Sequence, residues 1–192
     1  FTLSGNQIMP IFDACIDAGI RLVHTRHEGA AVYMAEGYAQ LTGKLGVALV
    51  TAAPGFGNSL GPLYMARMGE APVLLLSGDS PRSQDGLGAF QELDQVALST
   101  PVTKLSMRPD HAQNLGTDVA LATRTALSGR PGPVHMALPF DLLNEEVENA
   151  HLPSGEAFEA HAQPPSEDAV GTLLRALVGA ERPLILTGPV QN

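Results

Sequence analysis

The chain has 192 residues with 44% hydrophobic content, enough for one domain of ordinary size and part of a second. Its 20 acidic residues against 11 basic ones leave a formal net charge of -9, which repels a phosphate backbone and excludes nucleic acid as an expected partner. Cys15 is the single cysteine, so no internal disulfide can form, and no apolar run reaches the roughly 18 residues that a membrane-crossing helix needs. With no charged segment leading into an apolar one at the start, these features predict a cytoplasmic protein with no membrane partner. The opening Phe1-Thr2-Leu3-Ser4-Gly5 lacks an initiator methionine and reads as a loop, which predicts a trimmed fragment.

In chain order, helical spacing at 7–18 is followed by an apolar strand at 21–24 and a helix of small residues at 28–41. Strands then follow at 46–51, 73–77, 103–106 and 134–138, alternating with helices at 58–68, 94–99 and 111–128. Several strands are nearly continuous apolar runs, as expected when both faces are covered, so the alternation predicts a three-layer α/β/α fold with a mostly parallel sheet. Asp110 is placed to cap the helix at 111–128, and Gly129 to stop it. Beyond Glu146, the stretch 147–165 is expected to be a linker, and 166–192, with a helix at 167–180 and a strand at 183–187, the start of a second α/β domain. Such a stub cannot close a core alone.

Several familiar motifs fail on spacing. Ala53-Pro54-Gly55-Phe56-Gly57-Asn58 follows a strand, but a dinucleotide fingerprint needs glycine where Leu60 stands. Gly37 and Gly43-Lys44 are wrongly spaced for a P-loop, and Leu45 replaces its Ser or Thr. His24 and His27 are three residues apart across a strand-to-helix junction rather than four apart on a helix, and no other His, Cys or acid cluster completes a site, so no zinc site is expected; no G-x-S-x-G elbow occurs.

Glu28 remains, a carboxylate where an apolar strand gives way to a helix. One reading is an exposed helix-start acid, worth a few tenths of a kcal/mol against the helix dipole. The other is a carboxyl driven into an apolar pocket and used for proton transfer. The small face of Gly29, Ala30, Ala31, Ala35, Gly37 and Ala39 favours a closely packed partner, expected to be a second copy of the chain.

Taken together, TRHEGAA at 25–31, AEGYA at 35–39, GKLGVALVT at 43–51, PGFGN at 54–58, AFQELDQ at 89–95, PVTK at 101–104 and GPVHMALP at 132–139 resemble one family. It is the thiamine diphosphate enzymes of the acetolactate synthase type, and the resemblance is to their N-terminal pyrimidine-binding domain. That resemblance implies a thiamine diphosphate-binding fold over 1–146, lacking its first elements, with 166–192 as the start of the central domain. It implies that Glu28 bonds N1′ of the aminopyrimidine and controls the proton whose loss from thiazolium C2 generates an ylide. Pro54, Gly55 and Asn58 would lie beside the pyrimidine; Gly5, Asn6 and Gln7, with Phe90 and Gln91, would face the reacting end. Gln91 would bond a substrate oxygen, or else be a polar helix-start residue.

The implied activity is decarboxylation and carboligation of 2-oxo acids by a homodimer or homotetramer, as in branched-chain amino acid biosynthesis. Departures leave the substrate open. Ala53-Pro54-Gly55 replaces the usual G-P-G, the A-P-G-F and E-L-D-Q forms resemble oxalyl-CoA decarboxylase, and T-R-H-E resembles benzaldehyde lyase. A non-catalytic binding module is a further alternative. The family holds the diphosphate and Mg2+ through a G-D-G…N-N motif in its C-terminal domain, which this sequence does not contain, so the chain alone is expected to be inactive. Whether FAD binds is a property of the central domain.

Overall fold

The structure is a computed structural model and describes residues 1–160 and 164–186. Helix α1 (Met9–Asp17) precedes α2 (Glu28–Thr42), strand β1 (Gly46–Val50), the four-residue α3 (Pro54–Gly57) and α4 (Leu60–Met68). Then come β2 (Val73–Asp79), α5 (Gln95–Ser99), β3 (Leu105–Met107), α6 (Leu115–Leu127), β4 (Val134–Pro139) and α7 (Glu167–Val178). Among the described residues the four strands are parallel throughout, in the order β1-β2-β4-β3.

Alternation along the strands sorts side chains to two covered faces. Val73 and Leu75 of β2 join Ala48 and Val50 of β1 against Val32, Ala35 and Ala39 of α2 and Leu63 and Ala66 of α4. Leu74 of β2 joins Val134, Met136 and Leu138 of β4 against Ala122 and Ala126 of α6. Ile8, just before α1, and Phe12 within it pack on Leu49. This is the three-layer fold that the alternation predicts.

Small residues on α2 have a mechanical reason. A Cβ built on Gly46 would sit 2.0 Å from the Ala35 carbonyl oxygen, so helix and strand approach at a distance that only glycine permits. Alanine at 31, 35 and 39 keeps that contact flat.

Four expectations are corrected. Residues 21–24 form no strand: one bridge from His24 to Thr2 remains, because Thr2 lies between them and β1, accepting from Thr25 N and donating to the Val23 carbonyl. Strand β3 is shifted to Leu105–Met107, since 100–102 continue the preceding helix as a 3-10 turn. Asp110 does not cap α6, which starts at Leu115 after a 3-10 turn at Ala112–Asn114; its carbonyl accepts instead from Arg82. Gly129 does take the left-handed conformation (φ 61°) just past that helix. Residues 183–186 carry no strand, and Thr187 lies outside the described residues.

The stretch expected as a linker is anchored where it is described: His151 N donates to the Gln113 carbonyl, and a Cβ on Gly116 would meet the His151 oxygen at 2.7 Å. Helix α7 forms with Ser166 as its side-chain cap, but none of its residues is buried. Its stripe of Val170, Leu173 and Leu174 is exposed.

Candidate functional site

The site lies at the carboxyl ends of parallel strands, where open α/β sheets gather ligands. Strand β1 ends at Val50, and the chain turns through Thr51, Ala52 and Ala53 into α3. Opposite it, α2 begins at Glu28. His27 fixes that start: its backbone is extended, and its Nδ1 accepts from Gly29 N at 3.0 Å, a side-chain cap.

Glu28 is half-buried. Asn58 Nδ2 donates to its Oε2 at 2.9 Å, the one side-chain hydrogen bond to this carboxylate among the described residues. A Cβ on Gly55 would stand 2.8 Å from Thr51 Cγ2 and 3.4 Å from Glu28 Oε1. The absent side chain therefore keeps open the space beside the carboxylate. Pro54 is exposed at the first position of α3, and Phe56 behind it is fully buried.

The turn carries backbone strain. Ala53 has φ 37° and ψ -89°, a region that alanine enters only when its surroundings impose it. Asn58 N bonds the Pro54 carbonyl at 3.0 Å and the Ser59 hydroxyl bonds that of Gly55 at 3.0 Å, which ties down the far side.

A second set of residues meets the first through Thr51. Its hydroxyl donates to Gln7 Oε1 at 2.7 Å, and Gln7 Nε2 donates to Gln91 Oε1 at 2.7 Å. A Cβ on Gly5 would fall 2.3 Å from Thr51 Cβ, so the N-terminal loop lies directly against the end of β1. Residues 5, 7, 51 and 91, far apart in sequence, thus form one wall next to Gly55 and Glu28. Asn6 is exposed at the start of a 3-10 turn, and Phe90 is 79% exposed; neither makes a side-chain hydrogen bond to this wall.

The loop carrying Phe90 and Gln91 is clamped from within. The Glu92 carboxylate accepts from the backbone N–H groups of Gly86 at 2.5 Å, Gly88 at 2.9 Å and Ala89 at 3.1 Å. Led by the Gly86 bond, these donors hold its pKa below the ordinary carboxylate value. Gln91, next to the clamping Glu92, has φ 61°.

Thr51, His27 and Glu92 were not singled out as site residues from sequence. Position just past the carboxyl end of the parallel strand β1 is the signal that could have found Thr51. A cavity of about 200 Å³ lined by Asp79, Asp85, Glu92, Gln95 and Arg108 lies nearby. Its charged walls pair with one another, Arg108 with Asp79 at 2.6 Å and with Asp85 at 2.7 Å. Among the described residues no group of three or more His, Cys, Asp or Glu converges as a metal site, and no helix is long and apolar enough to cross a membrane.

A parallel three-layer α/β domain with a carboxylate at a helix start, facing a glycine-opened turn, defines a class of cofactor-binding domain. The family model for the thiamine pyrophosphate enzyme N-terminal TPP binding domain matches residues 1–98, and the chain belongs to that family. An acetolactate synthase large subunit of Mycobacterium tuberculosis is 35% identical over 189 residues, 98% of this chain and 34% of that protein. A catabolic acetolactate synthase of Raoultella terrigena is 34% identical over 188 residues, 98% of this chain and 33% of that protein. A 2-hydroxyacyl-CoA lyase 2 of Danio rerio is 42% identical over 143 residues, 74% of this chain and 23% of that protein. The chain spans about a third of the length of the acetolactate synthases it matches.

Proposed function

We propose that this chain is the pyrimidine-holding part of a thiamine diphosphate-dependent enzyme that acts on 2-oxo acids in the manner of acetolactate synthase. The observation that carries it is Glu28, oriented by Asn58 and left an open flank by Gly55. That donor set suits a protonatable ring nitrogen, because a half-buried carboxylate with one oxygen engaged offers the other as partner. When bound, thiamine diphosphate supplies a carbon nucleophile and an electron sink.

The chain's own residues have the following roles. Glu28 holds or releases the proton shared with the pyrimidine, and Asn58 keeps the carboxylate turned toward it. Pro54 and Gly55 form the floor of the turn. Gln7 and Gln91, linked by a hydrogen bond, present amide groups toward a substrate oxygen, with Gly5, Asn6 and Phe90 around them. Mg2+ and the diphosphate fall to a C-terminal domain beyond this chain, so residues 1–146 form the pyrimidine domain, 147–165 a linker and 166–192 the start of the next domain. A second copy of the protein completes the site, in the cytoplasm.

A second reading within the same chemistry is cleavage of a 2-hydroxyacyl-CoA, favoured by the higher identity to the 2-hydroxyacyl-CoA lyase of Danio rerio over the matched residues. Supplying the full-length protein with thiamine diphosphate and Mg2+, and comparing pyruvate with a 2-hydroxyacyl-CoA, separates the two. Carbon dioxide release with acetolactate formation supports the first; aldehyde and formyl-CoA formation from the thioester supports the second. Failure to turn over either compound would sink both.

A further inference from the structure

His135 lies in the middle of β4, with no solvent exposure, on the sheet face toward α3 and α5. Its ring stacks on Phe56 with centroids 4.8 Å apart and planes at 37°. Phe56 belongs to the turn that presents Gly55 and Asn58 to Glu28.

The hydrogen-bond polarity around His135 follows from its neighbours. Gln95 Nε2 faces two acceptors, the Gly78 carbonyl at 2.9 Å and Asp79 Oδ1 at 3.0 Å, so Gln95 Oε1 must face Ser77. The Ser77 hydroxyl gives its one proton to Gln95 Oε1 at 2.7 Å. Ser77 Oγ, 2.8 Å from His135 Nε2, is then left to accept, which puts the ring proton on Nε2. Nδ1 becomes the acceptor: Ser99 Oγ, 2.9 Å away, gives its one proton to the Gln95 carbonyl at 2.7 Å, which leaves the Ser106 hydroxyl, 3.0 Å from Nδ1, as the donor. Every polar atom of the imidazole is satisfied at full burial, and its orientation is fixed on both sides.

The same chain reaches the other wall of the site. Gln95 anchors the Gly78 carbonyl, and a Cβ on Gly78 would stand 2.7 Å from Gln7 Cβ. Ser77 therefore joins two supports, one behind Phe56 and one behind Gln7.

We propose that His135 is a positioning residue: held neutral with its proton on Nε2 by Ser77, it sets Phe56 and thereby the 54–58 turn that aims Asn58 at Glu28. Burial agrees with the neutral state, pushing the pKa of His135 down to about 3. This role rests on the reading of Glu28 as the pyrimidine's partner.

The test uses the full-length protein and begins without cofactor. Nitrogen-15 spectra of labelled histidine should show His135 protonated at Nε2 and bare at Nδ1, and His135→Gln should shift the amide signals of residues 55–58. The opposite tautomer, or unmoved turn signals, overturns the proposal. With thiamine diphosphate and Mg2+ added, His135→Gln should lower both cofactor affinity and the rate of C2-proton exchange about tenfold, but slow an Asn58→Ala protein no more than about twofold further. Losses that multiply independently contradict a route through the turn. If His135→Gln does not fold by circular dichroism, Phe56→Leu carries the same predictions. Glu28→Gln run alongside separates the claims: its exchange unchanged overturns both, while its exchange lost with His135→Gln at the wild-type rate overturns only the positioning role.

Discussion

Asn58 donates its side-chain amide to Glu28 at 2.9 Å, across thirty residues of sequence. The bond joins the start of α2 to the turn after β1, and it orients a carboxylate that the helix start alone would leave free to rotate. Because Asn58 is exposed, the lower end of the range for a bond to a charged group applies, about 1.5 kcal/mol.

Asn58→Ala in the full-length protein is therefore expected to weaken thiamine diphosphate binding about tenfold by fluorescence titration. Asn58→Asp should cost more, because a second carboxylate then faces the first and repels it where a donor stood. Equal losses in the two variants would count against an orienting role for Asn58.

The strain at Ala53 (φ 37°) predicts a gain rather than a loss. Glycine reaches that region without steric cost, so Ala53→Gly should stabilise the fold by about 0.5 to 1 kcal/mol, net of the greater freedom it gives the unfolded chain. Urea unfolding measures it, and a lower midpoint with unchanged slope would show the alanine conformation to be unstrained.

Gln91 sits at the outer end of the Thr51–Gln7–Gln91 chain, away from the carboxylate. Gln91→Ala should raise KM for the 2-oxo acid about tenfold while leaving C2-proton exchange within about twofold of wild type. Thr51→Val, which strands the buried Gln7 oxygen, should change KM in the same direction. Steady-state kinetics on pyruvate checks both, and a change confined to kcat would place Gln91 elsewhere.

His135 predicts a pH dependence of a definite sign. A base whose folded pKa is about 3, below its ordinary 6.5, binds its proton less readily folded than unfolded. Its contribution is complete above pH 6.5 and is lost as pH falls toward 3, at up to about 1.4 kcal/mol per unit. Denaturation midpoints of wild type and a folded His135→Gln protein, compared between pH 7 and 5, should converge on acidification. Parallel curves would show that His135 titrates normally.

Much of this site was legible because its residues sit in short local patterns. The helix start at Glu28, the turn at Pro54 and Gly55, and the pair at Phe90 and Gln91 each carry a motif, and the structure brings Glu28, Gly55, Asn58, Gln7 and Gln91 together. Thr51 and His135 lie within the runs GKLGVALVT and GPVHMALP, but nothing in either run singles out the one side chain. Each is a single side chain on or just past a strand, and its role depends on partners from other elements, such as Phe56 and Ser99 around His135.

The strand expected at 21–24 failed for a related reason. Leu22 and Val23 are apolar, but Thr2 occupies the pairing position beside β1, and 21–24 keeps only the bridge from His24 to Thr2. Asp110 had cap chemistry without cap position, because α6 begins five residues later at Leu115.

The central claim is that Glu28 governs the proton chemistry of the bound cofactor, and deuterium exchange at C2 of thiamine diphosphate in the full-length protein tests it most directly. Glu28→Gln keeps the shape and the Asn58 contact but cannot take up the proton, so exchange should slow by about 100-fold or more, with cofactor affinity within about tenfold of wild type. Exchange at the wild-type rate in a folded, cofactor-loaded Glu28→Gln protein would contradict the account.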